Sequence, residues 1–345
     1  MTSRERVLTA FAHQEPDGVP RWCGASPEFL AKALARLNLP DQESLLVRFG
    51  DDFRRVFARY AGPGFPLAPG ANSRTLFGIH RAGHGYGQPL NHPLAGATLR
   101  QIHDHPWPDP AWQDVSGIRG EALAWNRQYA MLGGDWSPFW HDAIDLLGME
   151  NLYFMMYDEP GLLDAVLQHV VDYYAAVSQR IFDAAADALD IFFIGNDFGS
   201  QTGPLLSPAQ FDRFIVPHLA RLADLGHAYQ LKVQLHCCGG FEPLIPAMIN
   251  AGLDGLHALQ PCCRGMDMAT LKARYGDKLV LNGAIDSQHV LIEGTPDSVR
   301  LHTREVLRIM APGGAYIAGA SHDYILEETP VENVLAMFDA VAEFS

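Results

Sequence analysis

Short apolar runs of strand length alternate with helical stretches along most of this 345-residue chain, and that alternation constrains its fold more than any other feature. The run Asp190-Ile-Phe-Phe-Ile-Gly195 is apolar at every interior position, as a strand buried on both faces of a parallel sheet must be. Comparable runs cover 129–133, 231–236, 254–259, 278–281 and 315–318, with two shorter or more weakly patterned ones at 19–24 and 52–60. Several intervening helices have readable starts. Thr2-Ser3-Arg4-Glu5 is a capping box, and Ser26-Pro27, Ser207-Pro208, Thr295-Pro296 and Thr329-Pro330 pair a capping hydroxyl with a first-turn proline. Strands alternating with helices predict βαβ units, and eight parallel strands close into an α/β fold, the (β/α)8 or TIM barrel. The structural alternative is an open doubly wound sheet. It would carry a GxGxxG loop after its first strand, and none follows one here.

The whole chain, 1–345, reads as one domain with an N-terminal helical segment. A Pro/Gly/His-rich insertion, about 62–114, separates the second and third strands. An irregular segment of that length is commonly a lid or a site wall. Its Phe77, Leu94, Trp107 and Trp112 need a surface to pack on, and one of His80, His84 or His92 is a candidate to fold over the barrel mouth.

A net charge of -15 argues against nucleic acid and anionic membrane surfaces, which need a basic face. No apolar run reaches the roughly 18 residues a membrane span needs. The opening Met1-Thr2-Ser3-Arg4-Glu5-Arg6 lacks the apolar core of a signal peptide. Five cysteines, two pairs of them adjacent, do not form a secreted disulfide pattern, so a reducing cytoplasm is the expected compartment. There, clustered Cys and His point to metal binding or catalysis.

In a barrel of this kind chemistry gathers at the C-terminal ends of the strands. Those ends read Gly133-Gly134-Asp135, Asn196-Asp197-Phe198, His236-Cys237-Cys238, Gln260-Pro261-Cys262-Cys263, Asn282-Gly283-Ala284-Ile285-Asp286 and Ser321-His322-Asp323. Polar strand ends need no explanation beyond their entering loops, but the concentration of His and Cys does. Strand alternation sends His236 and Cys238 one way and Cys237 the other. Imidazole and thiolate are preferred zinc ligands. Read alone, the stretch is also consistent with a buried strand end in which small cysteines fill space.

At this point the chain resembles the uroporphyrinogen decarboxylase superfamily over nearly its whole length. The residues that carry the resemblance are Arg4-Glu5-Arg6-Val7-Leu8 with Glu15-Pro16-Asp17, and Gly195-Asn196-Asp197-Phe198-Gly199-Ser200-Gln201. Further on they are His236-x-Cys238-Gly239, Asn282-Gly283-x-Ile285-Asp286 and Thr329-Pro330-x-Glu332-Asn333-Val334. The resemblance implies a (β/α)8 barrel and suggests a homodimer. The haem-pathway decarboxylase of this superfamily binds a polycarboxylated tetrapyrrole without a cofactor, using an arginine pair in an Arg-Gln-Ala-Gly-Arg segment. Here that region reads Pro20-Arg21-Trp22-Cys23-Gly24-Ala25 and the segment is absent.

A second branch contains zinc methyltransferases that move a methyl group between a corrinoid protein and a thiol. Their ligands resemble His236 and Cys238, with a third, usually cysteine, on the last strand end. In this chain that third ligand would be His322, and a His2Cys set leaves zinc a stronger Lewis acid than a set with two thiolates. The resemblance therefore implies zinc held by His236, Cys238 and His322, a small-molecule substrate and a corrinoid methyl carrier on a partner protein. Asp197 is the candidate general base or substrate anchor, and Gln260 and Asn282 are candidates to hydrogen-bond substrate. Cys262 and Cys263 are rival metal ligands; Cys23 and His257 read as core. Three functions remain open: zinc-dependent methyl or alkyl transfer, cofactor-free decarboxylation of a carboxylated substrate, and non-catalytic corrinoid or tetrapyrrole binding. A metal-free site would use His236 and His322 as acid/base groups.

Overall fold

In the computed structural model, which describes residues 1–83 and 87–344, the apolar runs form one curled parallel sheet. Its strands are β1 (Phe53–Arg55), β2 (Ala130–Gly133), β3 (Ile191–Gly195), β4 (Lys232–His236), β5 (Gly255–Leu259), β6 (Val280–Ile285) and β7 (Tyr316–Ala320). The seven strands neighbour one another in chain order, as βαβ units dictate. Residues 20–22 lie between the two sheet edges. The Trp22 amide donates to the Ala318 carbonyl at 2.9 Å, the Ala318 amide to the Pro20 carbonyl at 2.8 Å, and the Asp52 amide to the Arg21 carbonyl at 3.0 Å. The first strand expected at 19–24 is thus reduced to a bridge, since Pro20 has no amide hydrogen to extend the ladder. The architecture is TIM-barrel-like.

Alternation explains the all-apolar strands. Phe193 points into the ring beside Phe53, Leu132, Ile317 and Trp22, while Phe192 and Ile194 face outward under the helices. The helix Ser3–Phe11, with the expected capping box, seals the N-terminal end of the sheet with Val7 and Phe11. Arg4 Nε donates to Asp190 at 3.0 Å, and Arg6 Nη1 to Asp52 at 2.9 Å. With that end closed, the opposite end is the mouth.

Two strands differ from the sequence reading. Of 52–60 only Phe53–Arg55 joins the sheet, and Arg59–Tyr60 pairs instead with Gln113–Asp114. The strand at 278–281 runs on to Ile285, so Asn282 lies within the strand, inside the ring, rather than at its end. The insertion packs on the outside, against the helices Phe139–Leu147 and Pro160–Ala185. Phe77 meets Tyr173 and Tyr174 edge-on, Trp107 stacks on His169, and the Leu94 amide donates to the Leu146 carbonyl. His80 Nδ1 accepts from the Ala68 amide, and His92 Nδ1 lies 2.7 Å from the Asp145 carbonyl. His84 lies outside the described residues. No described helix is long and apolar enough to cross a membrane.

Candidate functional site

The loops that leave β3 and β4 meet backbone to backbone at the mouth. The Gly240 amide donates to the Ser200 carbonyl at 2.7 Å. Gly239 has φ +88°, and a Cβ there would lie 2.4 Å from the Gly199 carbonyl carbon. This close approach is why the double glycine follows the cysteines. It brings Asp197 against the neighbouring loop, where its Oδ1 accepts from the Cys238 amide at 2.7 Å.

Cys238 Sγ and Asp197 Oδ1 lie 3.3 Å and 3.5 Å from His236 Nε2. Ligand atoms of Asp197, His236 and Cys238 all fall within 4.8 Å of one another, the separation of donors around a common ion. Cys237 turns the other way, fully buried, and accepts from the Phe198 amide at 3.4 Å. His141, on the helix Phe139–Leu147, places Nε2 3.4 Å from Asp197 Oδ2.

Electrostatics separate these groups. Burial pushes the Cys238 thiol well above its usual range, and the charge of Asp197 adds to that. Burial also acts to raise the Asp197 carboxyl. The His141 hydrogen bond, the charges of His236 and His141, and the Cys238 amide together outweigh it and hold Asp197 below the ordinary carboxylate range. Burial lowers His236, against the opposing charges of Asp323 and Asp197. The site therefore presents a carboxylate, a neutral imidazole and a protonated thiol.

His257 is the partner that sequence reasoning assigned to the core. It sits opposite His236 in the β4–β5 register, and the two Nδ1 atoms are 3.0 Å apart. One must donate and the other accept. A proton on His236 Nδ1 leaves Nε2 with its lone pair toward Cys238 and Asp197, the arrangement a metal-binding imidazole needs. The available signal was the shared parity of two histidines on adjacent strands. Asp323 joins His236 and His257 in a second close group.

The other expected residues are placed differently. His322 is outside both groups, with Nδ1 2.9 Å from the Tyr324 carbonyl, although its charge reaches His236 and His257. Gln260 Oε1 accepts from the Gly239 amide at 2.7 Å and so braces the loop. Asn282 is fully buried, with both side-chain polar atoms unpartnered among the described residues. Cys262 groups with Asp286 and His289 in a third cluster, and Cys263 donates to Gln260.

A cavity of about 640 Å³ opens beside the histidines, within the range of small-molecule sites. Trp22, Phe53, Trp136 and Phe193 supply aromatic walls, and Glu43, Asp51, Arg54, Arg55 and Asp323 supply charge, with Arg54 already paired to Glu43. Trp136 contacts His236, and Trp22 and Phe193 contact His257, so cavity and donor group share a wall. Among the described residues the insertion contributes nothing to the lining. Trp136 holds its position because Gly195 has no side chain: a Cβ there would lie 1.9 Å from the indole. Gly195→Ala is expected to cost about 1–3 kcal/mol by overpacking and to shift Trp136 outward. Denaturation and tryptophan emission measure both effects, and no change in either would contradict this packing.

Comparison with known proteins places these features in context. The sequence pattern described as Uroporphyrinogen decarboxylase (URO-D) matches residues 123–344. The uroporphyrinogen decarboxylase of Alkalilimnicola ehrlichii is 29% identical over 277 residues, 76% of this chain and 70% of that protein. That of Hydrogenovibrio crunogenus is 27% identical over 199 residues, 55% of this chain and 51% of that protein. The chain thus spans about half the length of several of the curated relatives it matches. A solved structure described as a methyltransferase from Methanosarcina mazei covers 100% of this chain, and 99% of that one is matched, with a TM-score of 0.70 and 19% identity. At that identity the likeness is one of fold.

Proposed function

The chain belongs to the uroporphyrinogen decarboxylase family, and from that premise we propose that it is a metal-dependent methyl- or alkyl-transferring enzyme built on a TIM-barrel-like fold. The observation that carries this reading is the donor group Asp197–His236–Cys238 at the mouth, beside an aromatic-walled cavity. Nitrogen, sulfur and oxygen donors of this kind fit zinc, and three protein ligands leave a position for substrate, as catalytic zinc sites do. His236, Cys238 and Asp197 would hold the ion, with Asp197 taking the place expected of His322. When bound, zinc would supply Lewis acidity that lowers the pKa of an acceptor thiol or hydroxyl.

The chain's own residues do the rest. His257 fixes the tautomer of His236. His141, at the solvent edge of Asp197, is placed to take the proton released by the acceptor. Trp136, Trp22 and Phe193 exclude water from the reacting end. The acceptor's lone pair forms the new bond to the methyl carbon as that carbon's bond to the donor breaks, its electron pair leaving with the donor. A corrinoid on a partner protein is the methyl carrier this reading calls for, and the methyltransferase fold neighbour is consistent with it.

Stoichiometric zinc in the purified protein and methyl transfer from a methylated corrinoid to a thiol test the proposal; absence of both would sink it. The zinc affinity has a calculable pH dependence. Burial keeps Cys238 protonated at neutral pH in the metal-free site, while His236 is already neutral and Asp197 already ionised. Each zinc must then displace one proton, so affinity is expected to rise about tenfold per pH unit between roughly pH 6.5 and 8.5. Chelator competition at three pH values measures the slope, and a flat profile would remove Cys238 from the ligand set. The second reading, decarboxylation, is supported by the names of the curated relatives. It requires CO2 release that depends on Asp197 without metal.

A further inference from the structure

Arg55 ends β1 at the wall of the cavity. Its Nε and Nη2 are buried and have no hydrogen-bond partner among the described residues, and no described carboxylate approaches the guanidinium within 4 Å. The neighbouring Arg54 is quite different, clamped by Glu43 through Nε at 2.7 Å and Nη2 at 2.6 Å. An arginine cannot shed its proton, so keeping two of its donors buried without partners is a costly feature for a structure to hold. Asp135 and Asp323 act on Arg55 only at longer range, and burial pushes Asp135 toward its protonated form. The ring faces around the guanidinium offset part of the cost: its carbon is 4.6 Å from the Phe57 centroid, 5.2 Å from Trp136 and 5.3 Å from Phe193. No nitrogen, oxygen or sulfur acceptor among the described residues meets Nε or Nη2. The fork of free donors matches a carboxylate in shape and charge.

We infer that Arg55 is the anchor for a substrate carboxylate, and that the substrate is a small carboxylic acid with a flat apolar body. The body lies along Trp136, whose indole contacts both Arg55 and the His236 ring, at 5.2 Å and 5.4 Å. The reacting end is then about one aromatic ring away from the carboxylate. That orientation toward His236 rests on the reading proposed above, whereas the carboxylate site itself does not.

Benzoate and its neutral isostere benzamide, titrated calorimetrically into the purified full chain, test the inference. Benzoate is expected to bind at submillimolar concentration and benzamide at least about tenfold more weakly, the worth of a charge-assisted pair. Arg55→Met is expected to abolish the preference for benzoate while leaving thermal stability equal or higher, because an orphan charge has been removed. Arg55→Lys, which keeps the charge but not the fork, is expected to retain part of the preference. Equal binding of the two probes by the wild type overturns the inference. So does a benzoate preference surviving in Arg55→Met, or failure of the wild type to bind benzoate at 5 mM (roughly the weakest affinity such a fragment would show). A loss of stability in Arg55→Met would instead assign the residue a structural role. Binding is read without turnover, so a failed zinc titration leaves this result standing, and a failed benzoate titration leaves the zinc reading standing.

Discussion

Cys238→Ala and Asp197→Asn are each expected to weaken zinc binding on the order of 100-fold or more and to abolish methyl transfer, whereas His322→Ala keeps zinc affinity within about threefold. The difference follows from geometry. Sγ of Cys238 and Oδ1 of Asp197 lie 3.3 Å and 3.5 Å from His236 Nε2, while His322 turns Nδ1 toward the Tyr324 carbonyl. Asparagine at 197 keeps an oxygen for the Cys238 amide, so the loop should hold while the charge is lost. Alanine at 238 removes a thiol whose hydrogen-bond partners are His236 and Asp197, both within the donor group itself. Melting temperatures close to wild type would show that folding is intact. Chelator competition gives the affinities and elemental analysis the stoichiometry. If His322→Ala loses zinc and Asp197→Asn retains it, the oxygen donor proposed here is wrong and the ligand set is His236, Cys238 and His322.

The largest effect on stability is expected at the opposite end of the barrel, from Asp52→Ala. This carboxylate is almost fully buried. It accepts from Arg6 Nη1 at 2.9 Å and from the Arg21 amide at 2.7 Å. It thereby ties the N-terminal helix and the bridging segment 20–22 to β1. Removing it leaves the Arg21 amide unpaired and Arg6 with only the more exposed Asp17, at 2.8 Å, as its partner, a cost of about 3–5 kcal/mol. For a chain of this size that lowers the melting temperature by about 4–7 °C. Asp52→Asn should cost less, since one oxygen remains for the Arg21 amide. Adding Arg6→Ala to Asp52→Ala should cost less than the sum of the two single changes, because the Arg6–Asp52 pair is lost only once. Calorimetry of the three variants measures these terms. A drop of less than about 1 °C in Asp52→Ala would mean that the segment is held without this carboxylate.

Much of this framework is legible in the chain. The apolar run ending at Gly195 is a strand because every residue in it is buried, on one face or the other. Thr2 and Glu5 form the capping box that their spacing predicts. His236 and Cys238 share a face, and Cys237 does not, because a strand alternates. The failures also have causes. Residues 20–22 form only a bridge because proline interrupts the ladder there. Asn282 reads as the end of its strand because the apolar run stops at Leu281, yet Gly283 takes φ +111° within β6 and the strand continues. His257 reads as core because its run is apolar, and only the β4–β5 register shows what it faces. Arg55 carries no signal at all: its sequence neighbour Arg54 is of the same type and fully paired.

By itself the sequence determined where most of the sheet's strands from 129 onward lie, the order in which they neighbour one another, and hence which strand ends share the mouth. Periodicity and capping act over a few residues and are written locally, and βαβ connections carry them around the sheet. The tertiary structure alone decided which donors meet. Asp197 reaches Cys238 because Gly199 and Gly239 let two backbones touch, His257 reaches His236 because two strands align in register, and Arg55 stays unpaired because packing brings aromatic faces rather than carboxylates to its side. Contacts of this kind depend on where distant segments come to rest against each other, and no local pattern encodes that.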